Sequence, residues 1–191
     1  MEKSFMTDAV RERLIVAGIR ELEEHGLNDF SLRRVAMACE LSCAAPYRHF
    51  QSKDDLILEI IRYINRQWIL LQDQITAAFP EGDRRCLTEI GIAHIRFWIA
   101  NPNFRSVLLL DEPDTDSPRH RERNLINQGM ERLILDYCER QGFPSSRAEQ
   151  ISYEYRALIF GTVLMLGNQE LKNDANTISM VRARLDAILQ T

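Results

Sequence analysis

The apolar residues of this chain recur three and four positions apart in one segment after another, and no stretch sustains an alternation of apolar and polar residues. A repeat near 3.6 residues is typical of an amphipathic α-helix, whereas a β-strand repeats every two residues. Residues that interrupt helices are scarce, with 8 glycines and 6 prolines among 191 residues. Their share is about 7%, against roughly 12% in average proteins. The pattern therefore predicts an all-α fold with long helices.

The breaks in this pattern predict about nine helices in two domains. Gly26 can adopt the left-handed conformation that ends the first helix, Ser31 can cap the second, and Pro118 suits the first position of a later one. The first three helices form a predicted N-terminal domain, residues 1–52, and the others form a larger domain, residues 53–191. The predicted helices cover residues 7–25, 32–39, 42–50, 53–79, 83–100, 104–110, 118–141, 146–166 and 175–189.

Composition predicts a folded, cytoplasmic protein. Apolar residues make up 45% of the chain and charged residues 27%, a balance typical of soluble globular domains. The longest uncharged stretch, residues 157–169, is shorter than the ~18 residues that a membrane-spanning helix needs. The N-terminal residues lack the apolar core of a signal peptide. The four cysteines form no CxxC pair, so we expect them to stay reduced.

One segment reverses the charge balance of the chain. The net charge is −4, which gives no overall reason to expect nucleic-acid binding. Residues 31–53, SLRRVAMACELSCAAPYRHFQSK, nevertheless carry four basic residues and one acidic residue. The segment predicts two short helices joined by a turn at residues 39–41, the geometry of a helix-turn-helix, whose second helix enters the major groove. A basic patch here suits contact with phosphates; a merely solvated helix face is the alternative interpretation.

The second predicted helix has small residues at its start and hydrogen-bond donors one turn later. Cys43, Ala44 and Ala45 would allow close approach to base edges, and alanine methyl groups can contact thymine. Hydroxyl, guanidinium and imidazole groups at residues 47–49 can reach phosphates or bases. Residues at the N-termini of neighbouring helices lie where backbone N–H groups attract anions. The predicted DNA contacts are Ser31, Arg33, Ser42, Cys43, Ala44, Ala45, Tyr47, Arg48, His49 and Lys53.

Residues 13–58 resemble the DNA-binding domain of the TetR family of bacterial transcriptional regulators. The resemblance includes an apolar helix that ends at Gly26, a serine and leucine that open the next helix, and Ser42 before the second helix of the motif. It closes with YRHF at residues 47–50 and KDDL at residues 53–56. It covers about a quarter of the chain, and the remaining helices agree with the family in number and length.

The resemblance implies a homodimer that places its two reader helices in successive major grooves of a near-palindromic double-stranded operator. It also implies that a small-molecule effector binds the C-terminal domain and changes the spacing of the readers. A repressor released by an inducer is the expected form of regulation. The resemblance implies phosphate contacts at Ser31, Tyr47, His49 and Lys53. It implies base-facing positions at Cys43, Ala44, Ala45 and Arg48.

Two residues depart from the pattern of the family. Glu40 occupies the turn position where the family usually has glycine, and a positive φ there would cost about 1 kcal/mol for glutamate. Pro46 stands at the fourth position of the reader helix, where it removes one backbone hydrogen bond. We expect a short, slightly distorted reader helix.

The C-terminal domain contains aromatic residues that could line a ligand cavity. An apolar site between helices with a few polar groups is typical of small-molecule binding. Plain core packing is the alternative for each of these residues, because aromatic side chains dominate ordinary cores. His94 is the expected polar contact. The candidate ligand-binding residues are His94, Phe97, Trp98, Phe104, Leu108, Tyr137 and Tyr153.

The last two predicted helices carry apolar stripes together with Gly161 and Gly167, which permit close helix approach. By resemblance, this pair forms the isologous four-helix interface of the homodimer. Packing of the same stripes within one subunit is the alternative.

Catalysis and metal binding have little support in the sequence. No nucleophile–base pair, glycine-rich phosphate loop or metal-ligand cluster is evident, so we predict a non-enzyme without metal or cofactor. The acidic loop at residues 111–116 lacks the glycine and closing glutamate of a calcium loop. Two alternatives stay open: an all-helical small-molecule-binding protein or enzyme with no specific operator, and a non-specific DNA-coating protein. The acidic net charge argues against the second.

Overall fold

The computed structural model describes residues 2–104, 114 and 116–190 of the chain, with side chains described from Asp8 onward. The all-α prediction is confirmed, since all regular structure in these ranges is helical. Seven α-helices and one 3-10 helix have described bounds: α1 (Glu2–His25), α2 (Leu32–Ala38), the 3-10 helix (Pro46–Arg48), α3 (Lys53–Ala77), α4 (Arg84–Ala100), α5 (Pro118–Arg140), α6 (Ser145–Gly167) and α7 (Ala175–Ile188). The predicted helix at residues 104–110 lies, except for Phe104, outside the described residues. Where the structure is described, no helix is long and apolar enough to cross a membrane.

Contacts divide the chain into two units. The first comprises residues up to Arg66 together with residues 103–124, and the second comprises the rest. Helices α3 and α5 therefore contribute residues to both units. The domain boundary predicted after residue 52 stays a prediction.

The first unit packs α1 against α2 and the N-terminal half of α3. Gly26 ends α1 with a φ of +70°, as its sequence position predicts. Gly18 lets α1 approach α3 closely, because a Cβ built at this glycine would lie 2.8 Å from the Cδ1 of Ile60. The core consists of fully buried apolar side chains, chiefly Leu14, Ile15, Leu22, Val35, Ala36, Phe50, Leu56, Ile57 and Ile60.

The second unit is built around α4, which packs against α6 and α7. Tyr155 on α6 donates a hydrogen bond from its buried hydroxyl to the carbonyl oxygen of Leu87 at 2.6 Å. Gly91 on α4 makes room for this contact, since a Cβ there would lie 2.9 Å from the Tyr155 hydroxyl and 2.8 Å from the Cδ1 of Leu185. A side chain at Gly91 would therefore force the three helices apart.

The predicted α-helix over residues 42–50 is wrong. Only Pro46–Arg48 is regular, as a 3-10 helix, with Ala45, Arg48 and His49 donating their N–H groups to carbonyls three residues earlier. Pro46 has no N–H to donate to the carbonyl of Ser42, so an α-helix starting at Ser42 loses its first hydrogen bond. An α-helix this short gains too few other bonds to offset that loss. The second half of the motif is a compact turn rather than a short α-helix.

Candidate nucleic-acid interface and aromatic cluster

The start of α2 is held by its cap and by a buried carboxylate. Ser31 has extended backbone angles, and its Oγ accepts a hydrogen bond from the N–H of Arg34 at 3.4 Å. The N–H of Ser31 donates to Oε1 of Glu21 on α1 at 2.9 Å. The N–H of Ser31 is thus already used within the protein, and its hydroxyl remains the group that could contact a phosphate.

Glu21 also neutralises one of the arginines in the basic segment. The Nε of Arg34 donates to both carboxylate oxygens of Glu21, at 2.8 and 3.1 Å. Burial acts to raise the pKa of Glu21, but the hydrogen bonds from Arg34 and Ser31 outweigh it, so the pKa lies below its ordinary value. The carboxylate therefore stays charged at neutral pH. The positive charge available in this segment is accordingly smaller than the sequence count suggests, and rests on Arg33, Arg48 and Lys53.

The turn between α2 and the 3-10 helix adopts the conformation that glycine favours. Glu40 has a φ of +56°, in the left-handed region. The turn closes through the N–H of Leu41, which donates to the carbonyl of Ala36 at 2.9 Å. It is tied to α1 by Arg13, whose Nη2 donates to the carbonyl of Cys39 at 2.8 Å. The glutamate at this position is thus strained, while the turn itself is retained.

Most of the predicted DNA contacts share one exposed surface around the 3-10 helix. Pro46 and Phe50 are buried and anchor the turn, and the guanidinium of Arg11 lies 5.5 Å from the centroid of the Phe50 ring. Tyr47 is 62% exposed although it is aromatic. Ala45 and His49 are half-buried. The remaining exposed residues of this surface and of the neighbouring face of α2 are Arg33, Ser42, Cys43, Ala44 and Arg48.

Lys53 stands at the N-terminus of α3. Its Nζ donates to the carbonyl of Asn28 at 3.3 Å and lies 6.0 Å from the centroid of the Phe30 ring. The helix is capped by Ser52, whose Oγ accepts from the N–H of Asp55 at 3.1 Å. The Lys53 residue is half-buried, and these contacts hold its side chain beside the α1–α2 loop.

Polar contacts join α3 to the start of α5 within the first unit. Asn65 is buried, and its Nδ2 donates to the backbone carbonyl and the carboxylate of Glu122, at 2.7 and 3.1 Å. Arg62 bridges Glu59 at 2.7 Å and Glu122 at 3.4 Å. Arg119 pairs with Asp54 at 3.0 Å. The first turns of α5 are therefore fixed to the helix that follows the DNA-contact candidates.

The second unit contains a buried aromatic cluster around His94. The imidazole has no solvent-exposed area, and its ring stacks on Trp68 with centroids 4.4 Å apart. Trp98 lies 6.0 Å and Phe160 lies 6.3 Å from it by ring centroids. Phe97 lies 5.6 Å from Trp68 and also lines an open groove of about 640 Å³ between α3 and α4. The structure thus brings three predicted ligand-binding residues together, and adds Trp68 and Phe160, which the sequence analysis missed.

Several polar atoms of this cluster have no partner. Both ring nitrogens of His94 and the indole nitrogens of Trp68 and Trp98 are buried without a hydrogen bond. Burial lowers the pKa of His94 to about 3, so the imidazole is neutral. Buried polar groups in proteins are almost always hydrogen-bonded. These four nitrogens are the polar atoms of the cluster that a buried water or another polar group would satisfy.

The other predicted ligand-binding residues lie elsewhere. Tyr137 donates from its hydroxyl to the carbonyl of Leu189 at 2.7 Å, so this hydroxyl already has a partner within the core. Tyr153 is 70% exposed on α6 and does not join the cluster. Phe104 belongs to the first unit, and Leu108 lies outside the described residues. Where the structure is described, no group of three His, Cys, Asp or Glu residues is placed to hold a metal ion.

Helices α6 and α7 carry several apolar side chains that are exposed to solvent. On α6 these are Tyr153, Leu164 and Met165, and on α7 Met180 is 51% exposed. Gly161 lies on α6 between Tyr153 and Leu164, and a Cβ built on it would meet no atom within 4 Å. The last two predicted helices therefore present an apolar surface with a small residue at its centre.

Comparison with known proteins agrees with the arrangement of the first unit. Residues 14–60 match the model of the tetR family of bacterial regulatory proteins. Among curated proteins, none matches the sequence significantly.

The fold of the chain is shared by solved structures. A putative fatty acid metabolism regulator of Clostridium perfringens is 16% identical, with 93% of this chain and 96% of that chain covered and a TM-score of 0.74. A TetR family transcription regulator from Marinobacter aquaeolei VT8 is 18% identical, with 98% of each chain covered and a TM-score of 0.70. A multidrug binding protein, EbrR, solved with imidazole, is 18% identical over 96% of this chain and 91% of that chain, with a TM-score of 0.63. At these identities the likeness establishes the fold.

Proposed function

We propose that this chain, which carries the N-terminal domain of the tetR family of bacterial regulatory proteins and has the fold of its solved members, is a homodimeric, sequence-specific repressor released by a small-molecule inducer. The observation that carries the proposal is the surface around the 3-10 helix. The exposed residues there are Cys43, Ala44, Tyr47 and Arg48. They lie next to two buried side chains, Pro46 and Phe50, which anchor the turn.

The contacts to DNA divide by chemistry. Arg48 is exposed and has no ion pair in the described structure, so its guanidinium suits a base edge or a phosphate. Tyr47 offers a hydroxyl to a phosphate, while Cys43 and Ala44 allow the turn to approach the groove floor. Lys53 is held by Asn28 beside the α3 N-terminus, where the helix dipole also favours an anion. Ser31, Arg33, Ser42, Ala45 and His49 complete the proposed interface.

A second copy of the chain would cover the apolar surface of α6 and α7. Leu164 and Met180 are apolar and exposed, so burying them against a partner would be favourable. Gly161 would let the α6 helices of the two copies approach closely. A two-fold arrangement of this kind presents two identical DNA-contact surfaces, which matches a near-palindromic operator.

The inducer would act through α5. The aromatic cluster lies in the second unit, to which most of α5 belongs. The first turns of α5 are held to α3 by Asn65 and Arg62. A ligand that displaces α5 would therefore move α3, and with it the DNA-contact surface that precedes α3. A small molecule accompanies one protein that shares this fold, since EbrR was solved in complex with imidazole.

The test is selection of bound duplexes from a random pool with wild-type protein and with a Tyr47→Phe, Arg48→Ala double variant. Wild type should enrich a motif with two-fold symmetry, and the double variant should enrich none. Arg96→Ala is the matched control, because Arg96 is also an exposed arginine and lies on α4, outside the proposed interface, and it should enrich the same motif as wild type. Equal enrichment by the double variant would refute the proposed interface.

A further inference from the structure

We propose that Arg11 on α1, which is not among the proposed DNA contacts, is a positioning residue for the turn that meets DNA, and that Glu59 on α3 holds Arg11 in place. The proposal rests on the proposed function in taking this turn as the reader of DNA. All the residues that carry it belong to the first unit.

Phe50 fixes the end of the turn that presents Tyr47 and Arg48. Its N–H donates to the carbonyl of Pro46 at 2.9 Å, and the residue is 2% exposed. The imidazole of His49 lies 6.2 Å from the Phe50 ring by centroids. The two exposed side chains stand between two buried residues, so a shift of the Phe50 ring would redirect them.

Arg11 contacts this ring from another helix. The central carbon of its guanidinium lies 5.5 Å from the centroid of the Phe50 ring. A cation within about 6 Å of an aromatic centroid is attracted to the ring, and the planar guanidinium can also stack on it. The position of the guanidinium therefore influences the position of the ring that anchors the turn.

Glu59 determines where that guanidinium lies. The Nη2 of Arg11 donates to Oε2 of Glu59, and the Nη1 of Arg62 donates to Oε1 at 2.7 Å. The Nε of Arg62 also lies 3.4 Å from the carboxylate of Glu122 on α5. Burial acts to raise the pKa of Glu59, but the hydrogen bonds from Arg62 and Arg11 outweigh it, so the pKa lies below its ordinary value. The carboxylate is thus charged at neutral pH and held from both sides.

Two other roles for Arg11 predict different results. The Arg11 side chain is 35% exposed, and a direct contact with a phosphate is the first alternative. In that case Glu59→Gln would release positive charge near DNA and tighten binding. If Arg11 positions the turn, the same substitution weakens binding although it removes a negative charge. The second alternative, an ion pair that only stabilises the fold, would leave both the turn and the affinity unchanged.

One measurement needs no DNA and is therefore independent of the proposed function. The backbone N–H resonances of residues 47–49 are compared in ¹⁵N-labelled wild type, Arg11→Gln, Glu59→Gln and Glu12→Gln. Glu12 is an exposed glutamate next to Arg11 on α1, so its variant has the same change in charge as Glu59→Gln. Arg11→Gln and Glu59→Gln should move these resonances, and Glu12→Gln should not. Resonances that stay in place in both test variants would overturn the proposal.

The other measurement is the affinity for the duplex that wild type enriches, by fluorescence anisotropy at several salt concentrations. Arg11→Gln and Glu59→Gln should each bind about tenfold more weakly, because the proposed homodimer contains two altered turns. Glu12→Gln should bind at least as tightly as wild type. The slope of log K against log salt concentration should be the same for Arg11→Gln and wild type.

Two results of the binding measurement would contradict the positioning role. A slope lowered by about 2 in Arg11→Gln would show that Arg11 itself contacts a phosphate in each subunit. Glu59→Gln protein that binds as tightly as wild type would show that Glu59 does not act through Arg11. Thermal unfolding sets a temperature at which the variants are folded, and Arg11→Gln alone decides the matter if Glu59→Gln does not fold. Wild type that enriches no duplex would refute the proposed function, while the resonances would still decide the role of Arg11.

Discussion

Arg34 on α2 donates hydrogen bonds from its Nε to both carboxylate oxygens of Glu21 on α1, and Glu21 is 6% exposed. The same carboxylate accepts the N–H of Ser31, which caps α2. The buried carboxylate of Glu21 therefore fixes the position of α2 on α1. It also neutralises Arg34, which reduces the positive charge available for contact with DNA.

Glu21→Gln should lower the free energy of unfolding by about 1–2 kcal/mol, because the amide cannot accept all of these charge-assisted hydrogen bonds and Arg34 is partly exposed to water. Urea denaturation of the purified protein measures the change. Glu24→Gln is the matched control, since Glu24 is an exposed glutamate one turn along α1, and it should unfold like wild type. Equal stability of the Glu21 variant and wild type would contradict the assignment.

The difference between wild type and Glu21→Gln should also depend on pH. Folding lowers the pKa of Glu21 below its ordinary value of 4.5. Such a carboxyl stabilises the folded state above its ordinary pKa, and that contribution is lost as the pH falls through the lower folded-state pKa. The stability gap should thus be full at about pH 7 and should shrink below pH 4.5. A gap that stays constant down to the acid unfolding limit would show that the charge of Glu21 is not its source.

Glu40→Gly should stabilise the first unit by about 1 kcal/mol, because Glu40 has a φ of +56° and glycine adopts that conformation without strain. Gly26→Ala is the control of opposite sign. Gly26 has a φ of +70° and open space around it, so only backbone strain is added and stability should fall by about 1 kcal/mol. Thermal unfolding of both variants tests the pair, and a stability loss in Glu40→Gly would indicate an unrecognised role for the glutamate side chain.

Neighbouring arginines should differ in their effect on DNA binding. Arg33 is exposed without a partner in the described structure, so Arg33→Ala should remove one phosphate contact per subunit. For a dimer, the slope of log K against log salt concentration should fall by about 2. Arg34→Ala should leave that slope unchanged and lower stability instead, because Arg34 is bound to Glu21. Fluorescence anisotropy at several salt concentrations distinguishes them, and the reverse ranking would contradict the charge assignment.

Leu164→Glu should separate the proposed homodimer into monomers, because it places a charge on the exposed apolar surface of α6. Leu135→Glu is the control, since Leu135 on α5 is similarly exposed and lies outside this surface. Light scattering coupled to size-exclusion chromatography gives the mass directly. A Leu164→Glu protein that remains dimeric would place the interface on another surface.

Much of the fold follows from local signals in the sequence. Gly26 ends α1 and Ser31 caps α2 as predicted, and α5 begins at Pro118, with the Oγ of Ser117 accepting the N–H of His120 at 3.0 Å. These signals work because each acts on hydrogen bonds within a few residues of itself.

The sequence-based predictions fail where the local structure depends on a single residue or on a contact with a residue distant in the sequence. The sequence shows that Pro46 removes one hydrogen bond from the reader helix. It does not show that the remaining hydrogen bonds of so short a segment are too few to keep it α-helical. Arg34 looked like free positive charge because Glu21 lies thirteen residues away on another helix. Trp68 is not among the residues predicted to bind a ligand, because only the packing of α3 on α4 places it against His94.

The most direct test of the account is the affinity of the wild-type protein for its enriched duplex, compared with its affinity for a scrambled duplex of the same composition at physiological salt. The account predicts that two protomers bind the enriched duplex at least about 10³-fold more tightly, because base contacts from two reader surfaces add to the shared phosphate contacts. Equal affinity for the two duplexes would contradict it, and would show that the basic surface binds DNA without reading its sequence.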